Sequence, residues 1–192
     1  MNAQAQLSRL DSYCLNILSW LKPPIGFMKL NVDGTRSNQS GFIGAGGVIR
    51  DHNGDWLSGF SINLGVGQII NAEARGLLSG LKLASDLNIR KLEVESDSAI
   101  FVKLLIDGCP ISHPLGNIIN SCRHLINGFE DVRIRHIFRE CNYTADALAK
   151  GSLSHDYGIV IFDTPPPHVA SAFTDDLCNL PRARRVRTRP EG

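Results

Sequence analysis

The chain of 192 residues is 43% hydrophobic and 20% charged. This length and hydrophobic content are enough to bury one sizeable core, but the chain is short for two cores. Its five cysteines are scattered without any C-x-x-C pair, a pattern that favours reduced thiols over a disulfide framework or a zinc site. The early apolar run over residues 13–21 is interrupted by polar residues and falls well below the ~20 residues of a membrane span. It also lacks the flanks of a signal peptide. We therefore expect a soluble, intracellular protein with one domain and tails, without a membrane partner.

The net charge of +1 hides an uneven distribution along the chain. Residues 182–192 hold five arginines against one glutamate, so that this tail carries +4 and residues 1–181 carry −3. A body of that charge is not the basic surface expected of a strong nucleic-acid binder. If the chain handles nucleic acid, divalent cations or the tail must supply the positive charge.

In chain order, residues 1–22 come first and carry apolar side chains at helical spacing. The pattern ends at Pro23 and Pro24, which block continuation of a helix. It predicts an N-terminal helix and linker over residues 1–27. The pattern leaves open whether this helix is loosely appended or caps the core.

The strand predicted over residues 28–35 ends on an acid that is followed at once by glycine. Leu30 and Val32 point one way, and Asp33 points the other way with the polar residues before it. In a sheet covered by helices, this leaves Asp33 at a site-facing position. Gly34 then lets the backbone turn or a ligand come close.

Two further strands are predicted over residues 43–51 and 56–64. The Asn-Gly pair at residues 53–54 predicts a hairpin turn between them, so that the three strands form an antiparallel meander. Three glycines lie in the middle strand, at positions 44, 46 and 47. They lack the lysine-serine sequel and the following helix of a phosphate loop, and they favour close approach of a strand or substrate instead.

From residue 72 the apolar period changes to that of a helix, which is predicted to run to residue 87. Asn71 is its candidate N-cap and Glu73 lies in its first turn. Residues 91–96 then alternate as a short strand. That strand stops at Asp97, where a second helix is predicted to begin.

The remaining elements of the predicted domain are helices over residues 99–106 and 115–127, a strand over residues 132–137, and a fourth helix. The fourth helix begins near Asn142 and carries Asp146 in its first turn. The order βββαβααβα predicts an α/β fold. Its five-stranded mixed sheet has three antiparallel strands first and helices on both faces.

Beyond residue 151 the sequence patterns that predict secondary structure become weaker. Residues 159–162 predict an edge strand, the prolines at 165–167 break the chain, and residues 169–177 predict a short helix. The arginine-rich end predicts disorder. Its Arg-Arg pair at residues 184–185 is compatible with a nuclear-import signal, although such short runs are commonly solvated tails.

Four acids stand at the ends of predicted elements: Asp33, Glu73, Asp97 and Asp146. Element ends at one rim of an α/β sheet are where ligands usually bind, so we predict that the four carboxylates converge. They would repel one another strongly unless cations intervened. Hard oxygen ligands without imidazole or thiolate point to Mg²⁺ or Mn²⁺, and two such ions can promote phosphodiester hydrolysis. Any one of these acids alone is more often a helix cap or a solvated residue.

Five short motifs surround these acids: Val-Asp-Gly-Thr (32–35), Gly-Ala-Gly-Gly-Val-Ile-Arg-Asp (44–51), Ala-Glu (72–73), Glu-Ser-Asp-Ser (95–98) and His-Ile-Phe-Arg-Glu-Cys-Asn-Tyr-Thr-Ala-Asp-Ala-Leu-Ala-Lys (136–150). In their order and intervals they resemble the ribonuclease H type 1 domain. More narrowly, they resemble its plant branch related to the C-terminal ribonuclease H of non-LTR retrotransposon reverse transcriptases. The resemblance covers residues 28–151, which leaves residues 1–27 and 152–192 as extensions. It implies a ribonuclease-H-like fold, an RNA/DNA hybrid as substrate, and cleavage of the RNA strand to leave 3′-hydroxyl and 5′-phosphate ends.

The resemblance also assigns roles to individual residues. The four catalytic, metal-binding acids of the family match Asp33, Glu73, Asp97 and Asp146. A mobile-loop histidine that assists product release or proton movement matches His136. Residues on the substrate side match Gly34, Asn71, Ser98 and Asn142. In the sequence alone, Ser98 and Asn142 have the same appearance as simple helix caps.

Two departures from the family bear on affinity for a hybrid. Some relatives insert a basic helix where residues 108–115 here pass straight on, and the Asn/Gly-rich loop that grips the RNA backbone is reduced to residues 69–71. Two interpretations therefore stand. One is a monomeric, Mg²⁺-dependent endonuclease with two bound ions, in which Mn²⁺ could replace Mg²⁺. The other is a catalytically weak or inactive nucleic-acid-binding module derived from a retrotransposon, or in its blandest form a scaffold with a relic site.

Overall fold

The computed structural model describes residues 13–187 of the chain. Within this range the strands are β1 (Tyr13–Leu18), β2 (Met28–Arg36), β3 (Phe42–Arg50), β4 (Trp56–Val66), β5 (Lys91–Ser96), β6 (Asp131–His136), β7 (Gly158–Phe162) and β8 (Arg182–Arg187). The helices are α1 (Ile69–Asp86), α2 (Ala99–Asp107), α3 (Gly116–Ile126), α4 (Tyr143–Gly151) and α5 (Ala170–Leu177). The predictions made for residues 1–12 and 188–192 lie outside the described residues.

Six strands form the central mixed sheet, in the order β6-β5-β2-β3-β4-β7. Strands β2, β3 and β4 form the predicted antiparallel meander, whereas β5 and β6 add in parallel beyond β2. The predicted count of five strands is wrong, because β7 also pairs with β4. In that position β7 covers backbone N–H and C=O groups that would otherwise form an open sheet edge.

The main hydrophobic core lies between one face of the sheet and helices α1, α2 and α3. Leu30 and Val32 of β2 belong to it together with Leu77 of α1. Helices α4 and α5 cover the opposite face, where Val48 and Leu148 belong to a smaller apolar cluster. Helices thus lie on both faces, as predicted. No helix in the described range is long and apolar enough to cross a membrane.

The close approach of α4 to β3 depends on Gly46. A Cβ atom at this position would lie 2.2 Å from the Ala149 nitrogen and 2.5 Å from the Leu148 carbonyl carbon, so a larger residue fits only if the helix moves. The strand glycines were predicted to permit close approach of a strand or a substrate. Gly46 instead admits a helix, and that helix carries Asp146.

The face under α4 also holds a layer of buried polar side chains. Arg50 is fully buried and donates hydrogen bonds to Asp176 of α5 (Nη1 to Oδ2, 3.0 Å) and to Asn31 (Nη2 to Oδ1, 2.7 Å). The ring centroid of Trp20 lies 3.6 Å from the guanidinium carbon, and its indole N–H donates to the same Asn31 oxygen at 2.9 Å. Trp20 precedes the predicted domain of residues 28–151 and Asp176 follows it, so segments from both sides contribute side chains to its buried interior.

The predicted N-terminal helix is wrong where it falls on described residues. Residues 13–18 form β1, which pairs antiparallel with β8 in a separate two-stranded sheet. A short apolar run does not distinguish a helix from a strand by its period alone. Here a strand from the far end of the chain supplies the backbone hydrogen-bond partners.

The arginine-rich end is not disordered over residues 182–187. In β8, Arg182 donates a hydrogen bond to the Asp176 carboxylate at 2.9 Å, and Arg184 donates one to the Glu140 carboxylate at 3.0 Å. Disorder was predicted because a run of arginines repels itself and offers few apolar side chains to bury. Carboxylates from the body of the domain offset that repulsion and hold the strand in place.

Candidate active site

Two of the four acids meet because β2 and β5 are parallel neighbours. Val32 and Ser96 are partners in that ladder. The residues that follow them, Asp33 and Asp97, therefore lie side by side at one rim of the sheet. Asp33 is almost fully buried there.

The other two acids come from helices on opposite faces of the sheet. Glu73 reaches from α1 so close to β2 that a Cβ atom at Gly34 would lie 2.8 Å from its Cγ atom. Asp146 lies in the first turn of α4. Together with Asp33 and Asp97, these two acids line one cavity of about 450 Å³, which Gly34 also lines. The structure thus brings together the four acids that the sequence singled out.

Helix α1 begins earlier than predicted. Its first residue is Ile69 and its N-cap is Gln68, so Asn71 lies inside the helix and is not the cap. The prediction that Glu73 lies in the first turn is wrong for the same reason. Ile70 packs against the main core, and this burial extends the helix past the polar residue at which the sequence pattern was cut. Asn71 lines a different cavity of about 410 Å³ together with Arg75, so it does not join the four acids.

Asp33 is strongly perturbed by its surroundings. Burial raises its pKa, and the charges of Asp97, Asp146 and Glu73 raise it further, to about 9. The Gly34 N–H donates a hydrogen bond to Asp33 Oδ1 at 2.8 Å, which acts in the opposite direction. Without a cation, Asp33 is therefore held in its protonated form at neutral pH.

Glu73 is perturbed in the same direction. Burial raises its pKa to about 7; the charge of Asp97 adds to the rise and the Ser98 hydroxyl opposes it. Its Oε2 atom is buried and has no hydrogen-bond partner. Hard oxygen donors that repel one another, one of them unpartnered, fit a divalent cation such as Mg²⁺ or Mn²⁺.

Asp146 is held by cations of the protein itself. Lys150 Nζ lies 2.5 Å from its Oδ2 atom, and Arg139 Nη2 lies 3.5 Å from its Oδ1 atom. Between residues 13 and 187, no group of three or more His, Cys, Asp or Glu side chains lies close enough together to hold a metal ion without rearrangement. Lys150 and Arg139 line the acid cavity but were not among the predicted site residues. The i,i+4 spacing from Asp146 could have indicated Lys150, whereas no sequence pattern indicates Arg139.

Three further predicted residues surround Asp97. Asn142 is buried, and its Nδ2 donates to the Val32 carbonyl at 2.9 Å and to Asp97 Oδ1 at 3.3 Å. It stands at the N-cap position of α4 without a side-chain cap bond, so its amide ties Asp97 to β2 instead. Ser98 is the N-cap residue of α2, also without a side-chain cap bond. His136 Nε2 lies 3.2 Å from the Asp97 carbonyl oxygen, beside the cluster.

Replacing Asp33 by asparagine is expected to raise the melting temperature in a chelating buffer at neutral or alkaline pH. The folded-state pKa of Asp33 is raised from 3.8 to about 9. The stability that protonated Asp33 permits is therefore fully present below about pH 4 and is lost as the pH rises through about 9. The loss approaches ~1.4 kcal/mol per pH unit at its steepest. Thermal melts of both proteins from pH 5 to 9 should diverge, with the wild type falling away.

The control for this prediction is Asp86→Asn, which makes the same chemical change at an exposed position at the end of α1. Its melting curves should follow those of the wild type. Added Mg²⁺ should stabilise the wild type more at high pH, because a metal ligand must be deprotonated, and should stabilise Asp33→Asn much less. Parallel pH profiles for wild type and Asp33→Asn would contradict the prediction.

The order of the sheet and the positions of the acids define a class of protein. A three-stranded meander is followed by two parallel strands, and acids from β2, α1, the end of β5 and α4 meet at one rim. This is a ribonuclease-H-like fold.

The chain belongs to the reverse transcriptase-like family, whose sequence profile matches residues 31–152. It is 36% identical over 171 residues to an Arabidopsis thaliana protein named as a ribonuclease H protein, covering 89% of this chain and 28% of that protein. It is 29% identical over 122 residues to ribonuclease HI of Halobacterium salinarum, covering 63% of this chain and 61% of that protein.

A solved structure supports the same assignment. The crystal structure of RNase H1 from Halobacterium salinarum matches with a TM-score of 0.62 at 27% identity, over 67% of this chain and 98% of that chain. The predicted family resemblance and the ribonuclease-H-like fold class are thus confirmed. The chain spans less than two thirds of the length of both relatives named above.

Proposed function

We propose that this chain is a Mg²⁺-dependent endoribonuclease that hydrolyses the RNA strand of an RNA/DNA hybrid. The meeting of its four acids in one cavity carries the proposal. It is supported by similarity to proteins named as ribonucleases H. Since the chain spans only part of those relatives, the proposal concerns the activity of this domain.

The four acids are the proposed ligands of two divalent cations, and neighbouring side chains are proposed to assist them. When bound, the cations supply the positive charge that stabilises the attacking and leaving oxygens of a phosphodiester displacement. To act as a ligand, Asp33 would release to solvent the proton that burial and the neighbouring carboxylates otherwise hold on it. Asn142 orients Asp97 through its amide. His136, exposed beside Asp97, is the proposed group for proton movement or product release.

The proposed contacts to the nucleic acid come from the rim of the same cavity. Gly34 lines the cavity beside Asp33, and its backbone is the part proposed to face the substrate, since the space of a side chain is taken by Glu73. Arg36 and Lys150 line the cavity and are the side chains suited to phosphate oxygens. Ser98 and Asn71 keep their proposed substrate roles, Ser98 beside the acids and Asn71 from the other cavity it lines.

A cleavage assay tests the proposal directly. The purified chain is expected to cut the RNA strand of a hybrid in millimolar Mg²⁺, leave it intact in a chelating buffer, and spare double-stranded DNA. The products should carry 3′-hydroxyl and 5′-phosphate ends, which end-specific ligation reports. A folded protein that leaves the hybrid uncut in both Mg²⁺ and Mn²⁺ would contradict the proposal.

A catalytically weak nucleic-acid-binding module is the second candidate. The ion pairs of Asp146 with Lys150 and Arg139 favour it, because these side chains compete with a divalent cation for the fourth carboxylate. Titration of Mg²⁺ and Mn²⁺ with parallel readouts of binding and cutting separates the two candidates. Hybrid binding without turnover at every cation concentration would select the module.

A further inference from the structure

Strand β8 lies against the connection between β6 and α4. Arg184 donates to the Glu140 carboxylate at 3.0 Å, and its guanidinium carbon lies 4.3 Å from the centroid of the Phe138 ring. Arg182 donates to the Glu140 carbonyl oxygen at 3.1 Å and lies 4.3 Å from the centroid of the Tyr143 ring. These paired hydrogen bonds and cation–π contacts fix β8 over residues 138–143.

The same connection leads directly into the acid cluster. At its start, His136 contacts the Asp97 carbonyl oxygen at 3.2 Å. In its middle, Arg139 lies 3.5 Å from the Asp146 carboxylate. Strand β8 is therefore fixed to the segment that borders the cavity on one side.

Basic side chains continue from the cavity to the outer face of β8. Lys150 and Arg139 line the cavity with side chains that are 56% and 63% exposed. Arg184 follows with a side chain that is 37% exposed. Arg185 points to the opposite face of the strand from Arg184, where it is exposed. These four residues form a basic track.

We propose that the basic track binds the phosphate backbone of a nucleic-acid duplex where the duplex leaves the acid cavity, with Arg185 as the outermost contact. The inference rests on the proposed function, which places a nucleic acid in the cavity. Residues 1–181 carry a net charge of −3, so attraction of a polyanion must come from a localised group of cations.

The position of the track favours phosphate over an acidic protein as its partner. Two of its members line the cavity in which a phosphodiester would be cut, so a nucleic-acid backbone in that cavity already contacts the start of the track. Arginine suits this task, because its planar guanidinium binds phosphate oxygens in pairs. Backbone contacts carry no sequence information, so the track should act on duplexes of any sequence.

Arg185→Gln and Arg185→Glu test the proposal without disturbing the buried contacts of Arg182. Binding of a hybrid of about two helical turns is measured in a chelating buffer over a series of salt concentrations. Loss of one phosphate contact should reduce the slope of log K against log salt by about 0.9 and raise Kd about three- to tenfold. The glutamate variant should bind more weakly than the glutamine variant.

Arg90→Gln is the matched control, since Arg90 is 76% exposed and precedes β5 at the opposite end from Asp97. It should leave Kd and the salt slope as in the wild type. Arg185 variants indistinguishable from this control would overturn the proposal. So would unchanged binding of the hybrid with selective loss of binding to polyglutamate, which would assign the track to an acidic protein.

The same variants separate failure of the track from failure of the proposed activity. In cleavage assays, Arg185→Gln should raise KM for the long hybrid and leave kcat unchanged. A chain that never cuts a hybrid but binds it with an Arg185-dependent salt slope would refute the activity and support the track. A chain that cuts hybrids, with Arg185 variants behaving like Arg90→Gln in binding and KM, would refute the track alone.

Discussion

Replacing Asp176 by alanine is expected to lower the free energy of unfolding by about 3–5 kcal/mol, because it leaves a buried guanidinium without its carboxylate. Asp176 Oδ2 accepts hydrogen bonds from Arg50 at 3.0 Å and from Thr144 at 2.7 Å, and Oδ1 accepts one from Arg182 at 2.9 Å. Asp176 is 1% exposed, so water cannot replace these bonds. Denaturant unfolding followed by circular dichroism and tryptophan fluorescence measures the loss.

Asp175→Ala is the matched control for this prediction. Asp175 is the preceding residue of the same helix, its side chain is 38% exposed, and its carboxylate lies 3.6 Å from Arg182. Its removal should cost no more than ~1 kcal/mol, the range of an exposed ion pair. Equal destabilisation by the two variants would show that weakening of α5 itself, rather than loss of the buried pair, causes the effect.

A double variant tests whether the unpaired charge is the cause. Arg50→Met combined with Asp176→Leu replaces the buried pair by apolar side chains, which should recover much of the stability lost in Asp176→Ala.

The buried pair of Arg50 and Asp176 also bears on the boundary of the domain. If the pair matters as expected, a chain cut after residue 151 loses Asp176 and exposes Arg50, and it should not unfold cooperatively.

Local patterns in the sequence predicted the parts of the site that depend on them. Alternation in β2 put Leu30 in the core and Asp33 on the opposite face, because side chains alternate along any strand. Asp97 could be placed because a strand pattern stops where a helix pattern starts. The acids meet at the rim of the sheet where ligands usually bind in α/β folds. Asp33 and Glu73 nevertheless lie inside their elements rather than at the predicted ends, because β2 continues past Asp33 and α1 begins at Ile69.

The contacts that the sequence did not predict join residues far apart in the chain. Arg50 and Asp176 are 126 residues apart, and a buried ion pair leaves no periodic pattern in either element. Pairing of β1 with β8 is equally non-local, and Leu15 and Ile17 of β1 remain largely exposed. The apolar residues of this segment predicted one face of a helix because a period of two is hard to detect over so few residues.

Converting Asp97 to asparagine is expected to abolish cleavage of the hybrid, a loss of at least about 10²–10³-fold in kcat, as when one electrostatic contact to a transition state is removed. The substitution removes a proposed metal ligand but keeps the side chain's shape and an acceptor for the Asn142 amide, which now lies 3.3 Å from Oδ1. It also removes a charge that raises the pKa of Asp33 and Glu73. Stability in a chelating buffer should therefore not fall, and metal-free binding of the hybrid should be retained.

Asp107→Asn provides the comparison that makes the Asp97 result decisive, because it makes the same change at the end of the next helix. Asp107 is exposed and lies 2.6 Å from Lys103, so this variant should cleave the hybrid like the wild type. Cleavage by Asp97→Asn at the wild-type rate would remove the acid cluster from catalysis. If Asp97→Asn instead lost both cleavage and thermal stability, the carboxylate would be needed for the fold rather than for the reaction. Only loss of cleavage with binding and melting temperature intact assigns Asp97 to the chemistry, since those two measurements report the rest of the domain.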